Sequence, residues 1–144
     1  MIILSTLNAK YIHASLGLRY LFANLQALQS QAKITEFTIN QRPIDILEKI
    51  LEQPPKIIGF GVYIWNCQQT LELVQLIKCV TPDIKIILGG PEISYETEQQ
   101  PLYDYCDYVI TGTADFSFYQ ICRDLLDNKP PAQKILRSKP LPVG

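Results

Sequence analysis

The 144-residue sequence predicts a three-layer α/β fold, a doubly wound sheet of five parallel strands in the flavodoxin-like order 2-1-3-4-5. Short apolar runs alternate five times with segments whose apolar residues recur every three or four positions, as strands followed by helices do. The connections are long enough for the crossovers that parallel strands need. Ligands of such sheets bind at the carboxyl ends of the strands, where the strand order reverses.

The first half of the chain contains two predicted strands and two predicted helices. The apolar run Ile2–Leu4 predicts the first strand, and apolar residues at helical spacing predict a helix over roughly 14–31. Apolar and polar residues alternate over Ile34–Ile39, which is typical of a strand near an edge of the sheet. Pro43 suits the first turn of a second helix, which the pair Pro54-Pro55 ends.

The second half contains three strands, each followed by a helix. The strands are predicted at 56–64, 84–88 and 108–111, and the helices over about 67–80, 94–100 and 115–127. The run KIIGFGVYI is apolar throughout, as in a central strand covered on both faces. The tail contains four of the ten prolines. We therefore expect one domain over 1–128 and a Pro-rich linker over 129–144.

Composition and charge narrow the function classes. The net charge of −1 gives no electrostatic reason to expect nucleic acid or an anionic membrane surface as a partner. The sequence has no apolar run of about 18 residues and no signal peptide pattern, so we expect a cytoplasmic protein with no membrane partner. The four cysteines lie too far apart for a zinc ribbon, an iron–sulfur site or a C-x-x-C pair. We expect them to be buried or half-buried free thiols.

The predicted ligand crevice lacks the common phosphate-binding motifs. The loop after the first strand, STLNAKYIHAS, has no G-x-G-x-x-G, and no P-loop motif occurs in the chain. The third strand ends in Val62-Tyr63-Ile64-Trp65, without the acid that a phospho-acceptor receiver domain needs. These observations disfavour nucleotide-binding and receiver functions.

The loops at the crevice instead combine aromatic and small residues. Tyr63, Ile64 and Trp65 follow the third strand, and Gly89-Gly90-Pro91 follows the fourth. Glycines let a ligand approach the backbone closely because no Cβ intervenes. This combination suits a large, flat, mostly uncharged ligand. The alternative to a ligand-binding role is a structural one, in which the glycines form a tight strand-to-helix turn and Trp65 packs on the third helix.

Four stretches of the chain carry a family resemblance: STLNAKYIHASLGLRYL, GFGVYIWN, IILGGPEISYE and DYVITGTADFSFYQIC. Together they resemble the N-terminal cobalamin (vitamin B12)-binding domain of radical S-adenosylmethionine (SAM) proteins. The resemblance covers 1–127 in the right order. It implies the same five-stranded, Rossmann-like fold and a metal-containing cofactor, cobalamin.

The resemblance also implies where the cofactor lies. The corrin ring is expected at the carboxyl edge of the sheet, and the nucleotide tail between the sheet and its flanking helices. The residues expected near the corrin are Leu7, Asn8, Ala9, Lys10, Tyr11, Tyr63, Ile64, Trp65 and Asn66. Those expected to line or close the tail channel are Gly89, Gly90, Pro91, Glu92, Ser94, Gly112 and Thr113.

The parent protein implied by the resemblance is a radical SAM enzyme that transfers methyl groups or rearranges its substrate. Its S-adenosylmethionine and 4Fe-4S cluster would belong to a C-terminal radical SAM domain, because this chain has no C-x-x-x-C-x-x-C motif. The chain alone is then a binding module, joined to that domain through 129–144. The alternative is an interaction domain that keeps the fold without the cofactor. A stand-alone enzyme is disfavoured because no crevice loop offers a nucleophile–base pair.

The sequence departs from the family pattern around the cobalt and the tail. In one class of cobalamin domains, the histidine of D-x-H-x-x-G ligates cobalt. Here Tyr11 replaces the aspartate, and Gly17 lies four residues after His13 instead of three. We therefore do not expect His13 to be a metal ligand. Gly61 stands where a serine is common, and Gly112-Thr113-Ala114-Asp115 replaces an acidic turn.

Overall fold

A computed structural model describes residues 1–8, 16–90, 92–94, 96–112 and 115–137 of the chain. The strands in this part are β1 (Ile2–Asn8), β2 (Ala32–Thr38), β3 (Ile57–Gly61), β4 (Lys85–Gly89), β5 (Tyr108–Thr111) and β6 (Ile135–Arg137). The α-helices are α1 (Leu16–Ala23), α2 (Pro43–Leu51), α3 (Cys67–Val80), α4 (Pro101–Tyr105) and α5 (Asp115–Leu126). Two 3-10 turns occupy Gln26–Gln31 and Thr97–Gln99.

The sheet is parallel throughout, in the order β2-β1-β3-β4-β5-β6. The predicted parallel α/β fold and the order of its first five strands are confirmed. The predicted number of strands is wrong, because Ile135–Arg137 adds a sixth strand beside β5. A strand of three residues among prolines is too short to show an alternating pattern. The domain boundary at 128 and the linker role of 129–144 remain predictions.

Helices cover both faces of the sheet and create two apolar cores. Along β3 the side chain of Ile57 packs in the core with α1 and α5, and Ile58 packs in the core with α2 and α3. Successive side chains of a strand point to opposite faces, so this alternation is what a doubly covered strand requires. The central position and the edge position predicted for β3 and β2 are both confirmed.

Several element boundaries differ from the predictions. Strand β1 continues to Asn8, four residues beyond the predicted end, although Ser5 and Thr6 are polar. Thr6 is buried, and its hydroxyl donates to Gly61 O at 3.0 Å. The helix predicted over 14–31 ends at Ala23, and that predicted over 94–100 is replaced by the 3-10 turn and α4.

An ion pair joins elements at the amino edge of the sheet, opposite the predicted crevice. Lys78 Nζ lies 2.5 Å from Asp107 Oδ2, and both side chains are largely buried. Asp107 Oδ2 also accepts a hydrogen bond from Ile86 N at 2.7 Å, and Lys78 Nζ donates to Ile84 O at 2.7 Å. The pair therefore connects the end of α3 to the starts of β4 and β5.

The cysteines differ in exposure more than the sequence predicts. Cys106 and Cys122 are buried and Cys67 is half-buried, as expected, but Cys79 is exposed. All four are free thiols. Burial raises the pKa of Cys106 to about 11 and that of Cys122 to about 12.

Among the described residues, no helix combines the length and apolar character that crossing a bilayer demands.

The contact between β3 and α5 predicts a stability effect. A Cβ on Gly59 would lie 2.6 Å from Phe118 Cε2, and the buried ring has little room to move. Gly59→Ala should therefore lower the free energy of unfolding by about 1–3 kcal/mol in a denaturant titration. Combined with Phe118→Leu, the cost should be smaller than the sum of the two single changes, by about 1 kcal/mol.

The matched control is Gly61→Ala, two residues along the same strand. The nearest atom to its added Cβ is Tyr63 Cε2 at 3.3 Å, so this variant should lose less stability than Gly59→Ala. Strictly additive costs for Gly59→Ala and Phe118→Leu would contradict a steric origin.

The buried thiols predict a loss of stability at alkaline pH. The thiol of an unfolded chain has a pKa of about 8.5. Because burial raises the pKa of Cys122 to about 12, the unfolded chain releases a proton that the folded chain keeps. The stabilisation is present below the unfolded pKa and is lost as pH rises toward the folded pKa. Cys122→Ala should make the fall in unfolding free energy shallower by up to about 1.4 kcal/mol per pH unit over this window.

Chemical denaturation at a series of alkaline pH values measures this slope. Cys79→Ala, which removes an exposed thiol, is the control and should leave the slope unchanged. Equal slopes for the wild type and Cys122→Ala would show that this burial does not govern alkaline unfolding.

Candidate functional site

A groove opens at the carboxyl edge of the sheet, between its surface and the helices α1 and α5. Its cavity volume is about 150 Å³. Six of the seven glycines of the chain line it: Gly17, Gly59, Gly61, Gly89, Gly90 and Gly112. Side chains of the two helices form its outer wall, namely Leu18, Leu21 and Phe118. We call this feature the glycine groove.

Strand register explains why the groove has a flat floor. Gly59 and Gly61 are two residues apart, so both face the helices α1 and α5. Gly61 pairs with Gly89 of the neighbouring strand, which places two positions without a Cβ side by side. Larger residues at these positions would fill the space between the sheet and the helices. Because glycine has no Cβ, only the backbone lies there.

Gly90 closes the groove through its backbone conformation. Its φ of +114° lies in the region that residues with a Cβ avoid, and a Cβ there would lie 2.5 Å from Val62 O. Val62 N donates to Gly89 O at 2.7 Å. The ends of β3 and β4 are therefore held together just below the loops that follow them.

An aromatic lip stands beside the mouth of the groove and comprises Tyr63, Ile64 and Trp65. The rings of Tyr63 and Trp65 are stacked, with centroids 4.5 Å apart and planes 5° from parallel. Ile64 is 79% exposed and Trp65 is 42% exposed. Hydration of exposed apolar side chains costs free energy, so a ligand that covers them next to a groove gains affinity.

The side chain of Asn66 holds this lip in place. Its Oδ1 accepts a hydrogen bond from Tyr63 N at 2.8 Å, and its Nδ2 donates to Leu7 O at 3.0 Å. Nδ2 also lies 3.2 Å from Thr6 Oγ1 and 3.3 Å from Gly61 O. Because Asn66 is fully buried, it positions the lip and offers no exposed surface to a ligand.

The predicted site residues in the loop after β4 bond to different parts of the fold. Ser94 Oγ donates to Gly90 O at 2.8 Å and accepts from Gly112 N at 3.3 Å, so it joins the ends of β4 and β5. Glu92 O accepts from Gln100 Nε2 at 2.6 Å, toward α3 and α4. Burial, followed by the negative charge of Glu92, raises the pKa of Cys67 at the start of α3.

The predicted residues at the end of β1 lie partly in the core. Leu7 is buried against the helices α2 and α3, on the face opposite the groove. Asn8 is buried, and its Nδ2 donates to Glu36 Oε1 at 3.3 Å. The predicted residues outside the described part of the chain are Ala9, Lys10, Tyr11, His13, Pro91 and Thr113.

Sequence reasoning missed several residues that line the groove. The sequence predicts only that Leu18, Leu21 and Phe118 lie in helices and that Gly59 lies in a strand. A signal was available, because glycines at i and i+2 of an apolar strand leave one face of that strand bare. Their alignment with Gly89 depends on strand register and needs the structure.

The described groove and lip offer a ligand apolar side chains and glycine backbone. Within the described ranges, no group of three His, Cys, Asp or Glu side chains could hold a metal ion. The raised pKa of Cys67 disfavours its thiolate, the reactive form. A flat groove beside an exposed aromatic lip suits a ligand with a planar ring and an apolar extension.

Comparison with known proteins identifies relatives. The B12 binding domain family matches residues 3–121. The cobalamin-dependent radical SAM methyltransferase TokK of Streptomyces tokunonensis is 21% identical over 99 residues, which cover 62% of this chain and 14% of TokK.

Two solved structures share the fold. A novel cobalamin-binding protein from Desulfitobacterium hafniense DCB-2 has a TM-score of 0.62 at 21% identity, over 85% of this chain and 57% of that one. The cobalamin-dependent S-adenosylmethionine radical enzyme OxsB has a TM-score of 0.64 at 15% identity, over 91% of this chain and 19% of OxsB.

This chain therefore spans between 14% and 57% of the length of these relatives. The family match extends over most of the described strands and helices. From this match we conclude that the chain belongs to the B12 binding domain family.

Proposed function

We propose that the chain is a cobalamin-binding module that holds the corrin at the carboxyl edge of its sheet. The observation that carries this proposal is the meeting of the glycine groove and the aromatic lip at one edge. A groove of this kind accepts the nucleotide tail, and the lip lies where the planar macrocycle would rest. Membership of the B12 binding domain family supports the choice of ligand.

The dimensions of the groove fit one part of the cofactor. An apolar cavity of about 150 Å³ is the size that holds a single aromatic ring. The corrin is far larger and would stay outside, against Tyr63, Ile64 and Trp65. The backbone at Gly61, Gly89 and Gly90 would then contact the tail.

Bound cobalamin would supply a cobalt centre that can carry a methyl group. The residues of this chain would bind the cofactor, orient it and shield one of its faces from water. The predicted contacts of Asn8, Ala9, Lys10, Tyr11, Pro91, Glu92, Ser94 and Thr113 remain part of this proposal. Leu7 and Asn66 would contribute by supporting the edge, because their side chains are buried.

We further propose that the module serves a radical SAM domain joined in cis after residue 144. Such a domain would hold the S-adenosylmethionine and the 4Fe-4S cluster and would carry out methyl transfer or rearrangement. TokK and OxsB support this arrangement, since each is much longer than the segment that this chain matches. The downstream gene sequence tests it, because the domain requires a C-x-x-x-C-x-x-C motif.

One observation favours the alternative, an interaction domain that keeps the fold without the cofactor. The buried ring of Phe118 packs on Gly59 and fills the inner end of the groove. A domain without a cofactor would fill this space with a side chain in the same way. Direct binding of cobalamin separates the two functions.

The first binding prediction uses Trp65, the only tryptophan of the chain. After incubation with hydroxocobalamin and desalting, the protein should retain the visible absorbance of the corrinoid. In a titration, Trp65 fluorescence should be strongly quenched, because the absorbing ring would lie beside the lip. Loss of all absorbance on desalting, with no quenching at micromolar protein, would favour the cofactor-free alternative.

A relocated tryptophan is the matched control for the binding edge. The double variant Trp65→Phe with Tyr105→Trp places the single tryptophan at the amino edge of the sheet, where Tyr105 is 40% exposed. Quenching should be weaker in this variant than in the wild type at equal occupancy. Stronger quenching there would place the corrinoid at the wrong edge.

The second binding prediction concerns Asn66. Asn66→Ala would leave Tyr63 N and Leu7 O without their hydrogen-bond partner, at a cost of about 1–3 kcal/mol in stability. The anisotropy of Trp65 should fall as the lip loosens. Affinity for hydroxocobalamin should fall by about tenfold, which corresponds to ~1.4 kcal/mol.

Asn24→Ala is the control for this change, because Asn24 Nδ2 donates to Tyr20 O on the exposed side of α1. This variant should leave both anisotropy and affinity unchanged. If Asn66→Ala lost stability but kept the wild-type anisotropy and affinity, Asn66 would have a purely structural role.

A further inference from the structure

We infer that a second cavity, beside the edge strand β6, binds a basic α-amino acid of the size and charge of lysine. This inference is independent of the proposed function, because no residue that lines the glycine groove lines this cavity. We call it the edge cavity. The inference rests on three charged side chains that share the cavity without pairing with one another.

The edge cavity lies on the face of the sheet opposite the glycine groove. It has a volume of about 260 Å³ and is lined by residues of β5, β6 and the segment 94–99. Val109 of β5 packs in the core with α2 and α3 and is the register partner of Ile135. Side chains two residues apart face the same side, so Arg137 points to this face as well. Because β6 is the last strand, no strand in the described part of the chain lies beyond it.

The cavity contains charged groups of both signs. Arg137 is contributed by β6, and Glu96 and Glu98 by the segment around the 3-10 turn. Although these residues line one cavity, none of the three side chains forms an ion pair or a hydrogen bond with another described residue. Opposite charges attract when they come close. Their separation therefore leaves each of them available to a ligand that carries the matching charges.

The charges and the volume together select the ligand class. Two carboxylates and one guanidinium call for two ammonium groups and one carboxylate, which is the set that lysine carries. A guanidinium binds a carboxylate through two parallel hydrogen bonds, so Arg137 would hold the α-carboxylate. Since a water molecule takes up about 30 Å³ in the liquid, a cavity of about 260 Å³ holds roughly nine non-hydrogen atoms, close to the size of lysine.

The uncharged lining residues suit the rest of such a ligand. Ile135 is the only apolar lining side chain among the described residues, and it offers a surface for the methylene chain. The hydroxyl of Thr97 donates to Ile93 O at 2.6 Å, so its oxygen can still accept a hydrogen bond from an ammonium group.

The experiment is a nuclear magnetic resonance titration of the ¹⁵N-labelled chain with L-lysine at low salt. The amide signals of Thr97, Thr111 and Arg137 should shift saturably. The dissociation constant should be on the order of millimolar, because ion pairs at exposed positions contribute little each. Three analogues each lack one charge: norleucine the side-chain ammonium, 6-aminohexanoate the α-ammonium and cadaverine the carboxylate. Each should bind about threefold to fivefold more weakly than lysine.

Variants assign each ligand charge to a side chain. Arg137→Gln should abolish the advantage of lysine over cadaverine, because no guanidinium remains to bind the carboxylate. Glu96→Gln combined with Glu98→Gln should abolish its advantage over norleucine. Glu48→Gln removes an exposed acid on α2, far from the cavity, and is the matched control that should change neither ratio.

Three outcomes would overturn the inference. The first is the lack of a saturable shift at Thr97, Thr111 and Arg137, and the second is equal binding of lysine and its three analogues. The third is an effect of Glu48→Gln as large as that of the double variant, which would show a general response to net charge. None of these outcomes bears on cobalamin binding, which is measured separately through Trp65.

Discussion

The buried amide of Asn66 is the interaction on which the carboxyl edge of this fold depends. It bonds to the backbone of β1, the end of β3 and the loop that follows β3. These segments approach one another because the strands are parallel and in register, and the hydrogen bond to Leu7 O is buried. One side chain with both donor and acceptor atoms meets all of these requirements. The exposed aromatic lip can therefore project from a fixed base.

The glycine groove reflects a compromise between core packing and an open site. A covered sheet gains stability by filling the layer between strand and helix with side chains. At Gly59, Gly61 and Gly89 this chain forgoes those side chains, and Phe118 recovers part of the lost contact by packing against Gly59. The apolar core is thus continuous with the apolar cavity, and no polar side chain separates the two among the described lining residues deeper than the lip. This continuity favours a ligand group that resembles a core side chain, flat and uncharged.

The predicted site residues divide according to strand geometry. The carboxyl ends of neighbouring parallel strands share an edge, so the sequence could predict that Tyr63, Gly89, Gly90 and Gly112 come together. It could not predict which face of the sheet each loop turns toward. The backbone carbonyl of Glu92 accepts a hydrogen bond from Gln100, just before α4, and the side chains of Leu7 and Asn66 turn inward. The direction of a side chain in a loop depends on contacts with residues that are distant in the sequence.

Alone, the sequence determined the alternation of strands and helices, the parallel order of the first five strands and the glycine spacing of β3. The alternation is recorded in local periodicity, which reflects whether a residue faces a core or solvent, and the strand order follows from the topology rules for parallel sheets. Only the tertiary structure decided that Ile135–Arg137 extends the sheet, that six glycines line one groove and that Asn66 bonds to residues about 60 positions away. The physical reason is that hydrogen bonds and close contacts between distant segments depend on register and crossover geometry, which leave no periodic trace in the amino-acid sequence.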